Sequence, residues 1–190
     1  PFYILIEGCG ANTEADNEQF LQALDSAMSQ ELITDAVLAE SLQQQKTMWA
    51  IRDNIPALFA YQPMTLFDIS LPISEMESYL TEMENNVRAI DDQLFIATLG
   101  HLGDGNLHVA VGLQVISRPE NTGLNRKEEI ENAVYAPLQQ HSGSISGEHG
   151  IGLEKKPYLH LSRNQTEIDT MKQLKVLFDP KSLLNSGKII

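Results

Sequence analysis

Two imidazoles and a carboxylate pose the first chemical question. In Gly100-His-Leu-Gly-Asp-Gly-Asn-Leu-His108 the histidines His101 and His108 stand seven residues apart, and Gly147-Glu148-His149-Gly150 follows about forty residues later. Imidazole nitrogen and carboxylate oxygen are the donors that zinc, manganese or iron accepts. Glu148 completes a ligand set of His101, His108 and Glu148 if its loop reaches the first segment, and His149 then stands beside the metal without binding it. The plainer reading is a hairpin that happens to carry two histidines, with Glu148-His149 merely capping a later element. The residues alone leave both open.

The elements that must position these groups follow from local pattern. Gly103 and Gly105 bracket Asp104, so a turn is the cheapest conformation there and a straight helix through both histidines is excluded. Apolar runs at 94–99 and 107–113 flank the turn and read as an antiparallel hairpin over 93–115, which folds His101 back toward His108. The later pair sits in 143–152, where four glycines in ten residues allow close backbone approach.

Around this centre the chain alternates. Residues 2–7 read as a buried strand, and 13–30 as an amphipathic helix packed through Phe20, Leu21, Leu24, Ala27 and Met28, started by Thr13 or Asp16. A short strand at 35–39 precedes a helix at 40–51. Residues 65–72 form a strand stopped by Pro72, and Ser74 with Glu77 makes a capping box for a helix carrying Met76, Tyr79, Leu80, Met83 and Val87. A polar connection at 117–125, a helix at 127–140 with Ile130, Val134 and Leu138, and a last helix at 167–178 ended by Asp179-Pro180 complete the order. The tail 181–190 has no core-forming period. This order predicts an α+β fold, an antiparallel sheet with helices packed on one face, in a ferredoxin-like duplicated arrangement within one domain spanning 1–190. No nucleotide-binding turn follows the first strand, which disfavours a doubly wound sheet.

Composition narrows the partners. The 190 residues are 42% hydrophobic and carry a formal charge of −13, with a pI near 4.7. Nucleic acid and anionic membrane surfaces would repel such a chain. The single cysteine, Cys9, excludes an internal disulfide. No apolar stretch reaches the length of a transmembrane span. A start on Pro1 suggests a fragment of something longer.

Three segments carry a closer likeness: Gly100 to His108, Ser144-Ile-Ser-Gly-Glu-His-Gly-Ile-Gly152, and Phe178-Asp-Pro-Lys-Ser-Leu-Leu-Asn-Ser-Gly-Lys-Ile189. Together they resemble the C-terminal domain of the FAD-linked 2-hydroxyacid oxidoreductases, flavoproteins of the vanillyl-alcohol oxidase type that include D-lactate dehydrogenase, D-2-hydroxyglutarate dehydrogenase and the glycolate oxidase FAD subunit. The resemblance implies an FAD held mainly by an N-terminal domain outside this chain and a divalent metal that holds the hydroxyl and a carboxylate oxygen of a small D-2-hydroxy acid. It further implies that His149 is the general base while the C2 hydrogen leaves as hydride to the flavin, and that Asn185 approaches the cofactor. Arg52, at the end of an apolar helix face after Trp49, reads equally as a helix-end ion pair or as a carboxylate grip, and the resemblance favours the grip. The expected location is cytoplasmic, or mitochondrial in a eukaryote, and a homodimer is left open.

The chain departs from many relatives at Leu66, where a lysine precedes the strand's aspartate by two residues, at Pro56, where a serine or threonine stands, and at Ala110, where some carry asparagine. Two other classes therefore stay open. A metal-dependent hydrolase would turn over without flavin, and a non-catalytic binding domain would keep the metal but not the substrate contacts.

Overall fold

The computed structural model describes residues 3–61, 63–113 and 126–190, and the connection expected at 117–125 lies outside them. The chain divides into two compact units, Pro1–Ala57 and Leu58–Ile190.

In the first unit, α1 (Thr13–Ser29) is capped by Asn12, whose side chain accepts from Ala15 N, one residue before the expected cap. Its stripe is only half-buried at Phe20, Leu24 and Ala27. Ser41 caps α2 (Leu42–Asp53) through a bond from Gln44 N. The strands expected at 2–7 and 35–39 are irregular over their described residues. A strand needs a partner ladder, and an apolar run alone does not supply one.

The second unit holds the core. Strands β1 (Met64–Ser70), β2 (Leu94–His101) and β3 (Asn106–Leu113) form an antiparallel sheet in the order β1-β3-β2. Helix α3 (Met76–Ile90) connects β1 to β2, and α4 (Lys127–Tyr135) follows β3. Phe67, Ile69, Leu107, Val109 and Val111 project from one sheet face onto Tyr79, Met83 and Val87 of α3 and Ile130 and Val134 of α4. The two helices are tied by Tyr79 Oη, which donates to the Val134 carbonyl at 2.8 Å. The fold is thus α+β with helices on one face of an antiparallel sheet. On the outer edge of β1, Ser144 makes an isolated antiparallel bridge to Ser70. A β-α-β-β-α order followed by this bridge is a ferredoxin-like unit whose fourth strand is reduced to one residue, and among the described residues it occurs once.

Three local expectations change. No Ser74 capping box forms; a 3-10 turn at Ile73–Glu75 leads into α3, and Glu75 offers no side-chain cap bond. The helix expected over 127–140 tightens into a 3-10 segment at Ala136–Gln139, where Pro137 lacks the N–H a continuing helix needs. The last helix, α5 (Gln165–Phe178), begins two residues early because Asn164 and Glu167 form a reciprocal capping box, and it buries no residue fully.

Candidate metal and substrate site

The hairpin positions the first two histidines as expected. His101 is the last residue of β2 and His108 the third of β3, joined through a 3-10 turn at Leu102–Asp104. Asp104 Oδ1 accepts from Asn106 N at 3.1 Å, an Asx turn that closes the loop. Gly105 takes φ +74°, and a Cβ there would lie 2.3 Å from the Leu71 carbonyl oxygen, so only glycine fits.

The second segment is brought to the hairpin by Asp68, in the middle of β1 and only 2% exposed. Backbone N–H groups of Gly147, Glu148 and His149 donate to its carboxylate at 3.2, 3.0 and 2.8 Å. Ser146 Oγ donates at 3.1 Å, Lys155 Nζ at 3.3 Å and Asn106 Nδ2 at 3.4 Å. Burial opposes the charge, yet the His149 and Glu148 amides and the Lys155 ammonium together hold the carboxyl well below the usual carboxylate range. The glycine at 147 lets the loop come this close, since a Cβ there would meet Asn106 Nδ2 at 2.8 Å and Asp68 Oδ1 at 3.0 Å.

The result is a continuous cluster. Glu148 Oε1 lies 3.2 Å from His101 Nδ1. The His101 and His108 rings meet edge to face at 5.8 Å between centroids, and His108 stacks on His149 at 5.6 Å. Among the described residues, two groups of three have ligand atoms within 4.8 Å of one another: Asp68, His108 and His149, and His101, Asp104 and Glu148. The expected trio of His101, His108 and Glu148 bridges the two groups. Asp68 is the weaker donor of the set, because six hydrogen-bond donors already converge on the roughly four lone-pair positions of a carboxylate. The imidazoles and the half-exposed Glu148 carboxylate are free of such crowding and fit a divalent metal by donor chemistry. Asn106 Oδ1, fully buried, has no hydrogen-bond partner among the described residues, so the site holds an acceptor that a cation or a donor could satisfy.

Arg52 and Asn185 are the remaining expected residues. Arg52 belongs to the first unit, where its exposed guanidinium pairs with Asp53 at 2.8 Å and sits over the Trp49 ring at 5.8 Å. Asn185 is in the exposed tail at φ 47°, and its Oδ1 accepts from Lys188 Nζ at 3.1 Å. Asp68 and Lys155 were not anticipated as site residues. A charged residue between Phe67 and Ile69 in an apolar strand was the available signal for Asp68, since an unpartnered buried carboxylate is costly. Lys155 carried none.

The family described as FAD linked oxidases, C-terminal domain, matches residues 1–189. The chain belongs to that family. It is 33% identical over 189 residues to a D-2-hydroxyglutarate dehydrogenase of Stutzerimonas stutzeri, covering all of this chain and 40% of that protein. A mitochondrial D-2-hydroxyglutarate dehydrogenase of Danio rerio is 33% identical over 191 residues, 34% of its length. A putative mitochondrial D-lactate dehydrogenase of Schizosaccharomyces pombe is 31% identical over 201 residues, 37% of its length. The chain thus spans about two fifths or less of the curated relatives it matches. Among the described residues, no helix is long and apolar enough to cross a membrane.

Proposed function

We propose that this chain is the substrate- and metal-holding part of an FAD-dependent oxidoreductase that converts a small D-2-hydroxy acid to the 2-keto acid. The observation that supports it is the convergence of His101, His108, Glu148 and His149 from a hairpin and a loop that Asp68 ties together. In this reading His101, His108 and Glu148 hold a divalent metal, which when bound supplies Lewis acidity toward the substrate hydroxyl. His149, its exposed ring stacked on His108, takes the hydroxyl proton as general base. Loss of that proton and of the C2 hydrogen as hydride would account for the two electrons and two protons of the oxidation, an FAD, when bound, supplying the hydride-accepting chemistry. Arg52 grips a carboxylate as a planar fork, and Asn185 serves the cofactor.

The partners in this reading are the hydroxy acid and an N-terminal FAD domain of the same full-length protein, with a homodimer as a further assembly. A bacterial protein of this kind works in the cytoplasm, whereas the eukaryotic relatives carry mitochondrial names. Elemental analysis of the purified protein beside its Glu148→Ala and His108→Ala variants tests the metal. About one transition metal per chain, lost in both variants, supports the assignment; a full complement retained in His108→Ala sinks it. Anaerobic bleaching of the flavin by a D-2-hydroxy acid, abolished in His149→Ala, tests the base.

A further inference from the structure

A second concavity lies away from the histidine cluster. A cavity of about 350 Å³ opens between the outer edge of β1 and α4. Its floor is Phe67, Leu94, Val111, Ile130 and Tyr135, all buried and all part of the core that the sheet shares with the helices. Side chains alternate between faces along a strand, so Phe67 and Val111 point to the helices while Asp68 and His108 share the other face. The cavity and the proposed metal site therefore occupy opposite sides of the sheet. Concavities of this size, apolar with a few placed polar groups, are where proteins take small ligands.

Two groups on its wall are open to hydrogen bonding, and both are neutral. Ser70 exchanges backbone bonds with Ser144, and the Asp68 carbonyl accepts from Lys155 Nζ, so both residues turn their backbone groups outward from β3. Alternation turns the N–H and C=O of Leu66 the same way, and among the described residues no strand pairs with β1 on that side. Leu66 lines the cavity, and its edge backbone supplies one donor and one acceptor. The second group is the Tyr135 hydroxyl, hydrogen-bonded to no described residue. Asn106 Oδ1 is the one fully enclosed side-chain atom without a partner among the described residues, so the Tyr135 hydroxyl reaches open space, and the space its residue borders is this cavity. Burial first, then the Glu131 carboxylate, pushes the Tyr135 pKa up and keeps the phenol a neutral donor. The cations around the cavity are already engaged. Arg126 donates to the Ile90 carbonyl at 2.8 Å and approaches Asp91, Lys127 approaches Glu131 at 3.5 Å, and Lys155 holds Asp68 at 3.3 Å. A charged group brought into the apolar floor would be left unpaired, which is costly.

We propose that this cavity is a second ligand site, separate from the hydroxy-acid site, and that it takes an uncharged small molecule carrying an apolar ring or branched chain and a carboxamide. The apolar group fills the space over Phe67, Val111 and Ile130, while the amide lies along the Leu66 edge and accepts from the Tyr135 hydroxyl. A volume of about 350 Å³ has room for roughly a dozen heavy atoms, at about 30 Å³ for a water-sized group.

The test uses the full-length flavoprotein and ligand-observed NMR titration with 3-phenylpropionamide, beside its charged analogues 3-phenylpropionate and 3-phenylpropylammonium. The amide binds with a Kd on the order of 1 mM or tighter, as suits a ligand of this size, and each ion binds about tenfold or more weakly. Tyr135→Phe keeps the ring, loses the donor and weakens the amide about three- to tenfold. Ile130→Trp fills the space and abolishes binding, with thermal melting to confirm that it folds; where it does not, Tyr135→Phe decides alone. D-lactate leaves the bound amide in place. No binding of the amide at millimolar concentration overturns the inference, as does an ion that binds as tightly as the amide. Affinity unchanged in Tyr135→Phe, or displacement of the amide by D-lactate, also overturns it. Each of these results leaves the hydroxy-acid reading standing.

Discussion

Asp68 and Asp179 are two versions of one device. Each is a buried aspartate that accepts backbone N–H groups and a lysine ammonium. Asp179 gathers Leu183 N and Leu184 N, four and five residues ahead, with Lys175 one turn behind on α5, and so ends its helix and turns the tail. Lys175 foremost, then the two amides, bring its carboxyl down to about 2. Asp68 gathers donors 78 to 87 residues away and thereby brings the Glu148-His149 loop to the hairpin. Identical chemistry serves as a local stop in one place and as a tertiary clasp in the other. Span along the chain, rather than bond type, decides what each can control.

The sharpest way to break this comparison is Asp68→Asn. The amide keeps the shape but removes the charge under Lys155 and three loop amides, and the loss of one partner from a buried pair costs about 3–5 kcal/mol. Urea unfolding should show that loss, and metal content should fall with it even though no proposed ligand has changed. If stability drops while metal stays stoichiometric, the clasp holds the fold without setting the site. Gly147→Ala is expected to cost about 1–3 kcal/mol, because its Cβ would press on Asn106 and Asp68 where neither can yield easily. Weaker metal affinity should accompany that loss, in contrast to a Gly→Ala change at Gly103, where a Cβ meets nothing within 4 Å.

A third clamp of long span adds a pH dependence. His141 lies between Glu75 at 3.1 Å and Glu82 at 3.0 Å, with Ser78 also near its Nδ1 and the Tyr79 ring edge-on to it. Both nitrogens donate to carboxylates only when the ring is protonated, and the bonds to Glu82 first and Glu75 second raise its pKa. The folded state therefore holds the proton more tightly than the unfolded chain. The clamp stabilises fully below the ordinary histidine pKa of about 6.5, and its contribution disappears as pH rises through the raised folded value. His141→Gln should lower Tm by about 2–4 °C at pH 5.5, with the difference shrinking toward pH 9. A difference that grows with pH would contradict the clamp. The smallest effect is expected from Asp179→Asn, a local loosening of the tail seen as faster amide exchange over 181–188 with metal content unchanged.

Legibility divides along the same line. The hairpin, its turn glycines and the packing stripes of α3 and α4 were readable because each depends on neighbours within a few residues: Tyr79, Met83 and Val87 recur at helical spacing and all three are buried. The strands expected at 2–7 and 35–39 do not form over their described residues, because an apolar run does not reveal whether a ladder partner exists. The Asn164 capping box was legible, since Asn164 and Glu167 stand at the diagnostic three-residue spacing. In the candidate site, His101, His108, Glu148 and His149 stood out as residue types in glycine-framed segments. The approach of His101 to His108 was legible from the hairpin, but that of Glu148 and His149 was not, since it depends on Asp68 meeting a loop some eighty residues away.

The amino-acid sequence by itself determined the family and the antiparallel hairpin and singled out His101, His108, Glu148 and His149 as candidates for metal and proton chemistry, since motif and turn preferences are properties of short segments. The tertiary structure alone decided that Asp68 is a clasp and that Lys155 is its counter-charge. It also decided that a cavity opens between the outer edge of β1 and α4. Those facts depend on strand register and on which backbone amides meet a buried carboxylate, and both are fixed only when distant segments pack.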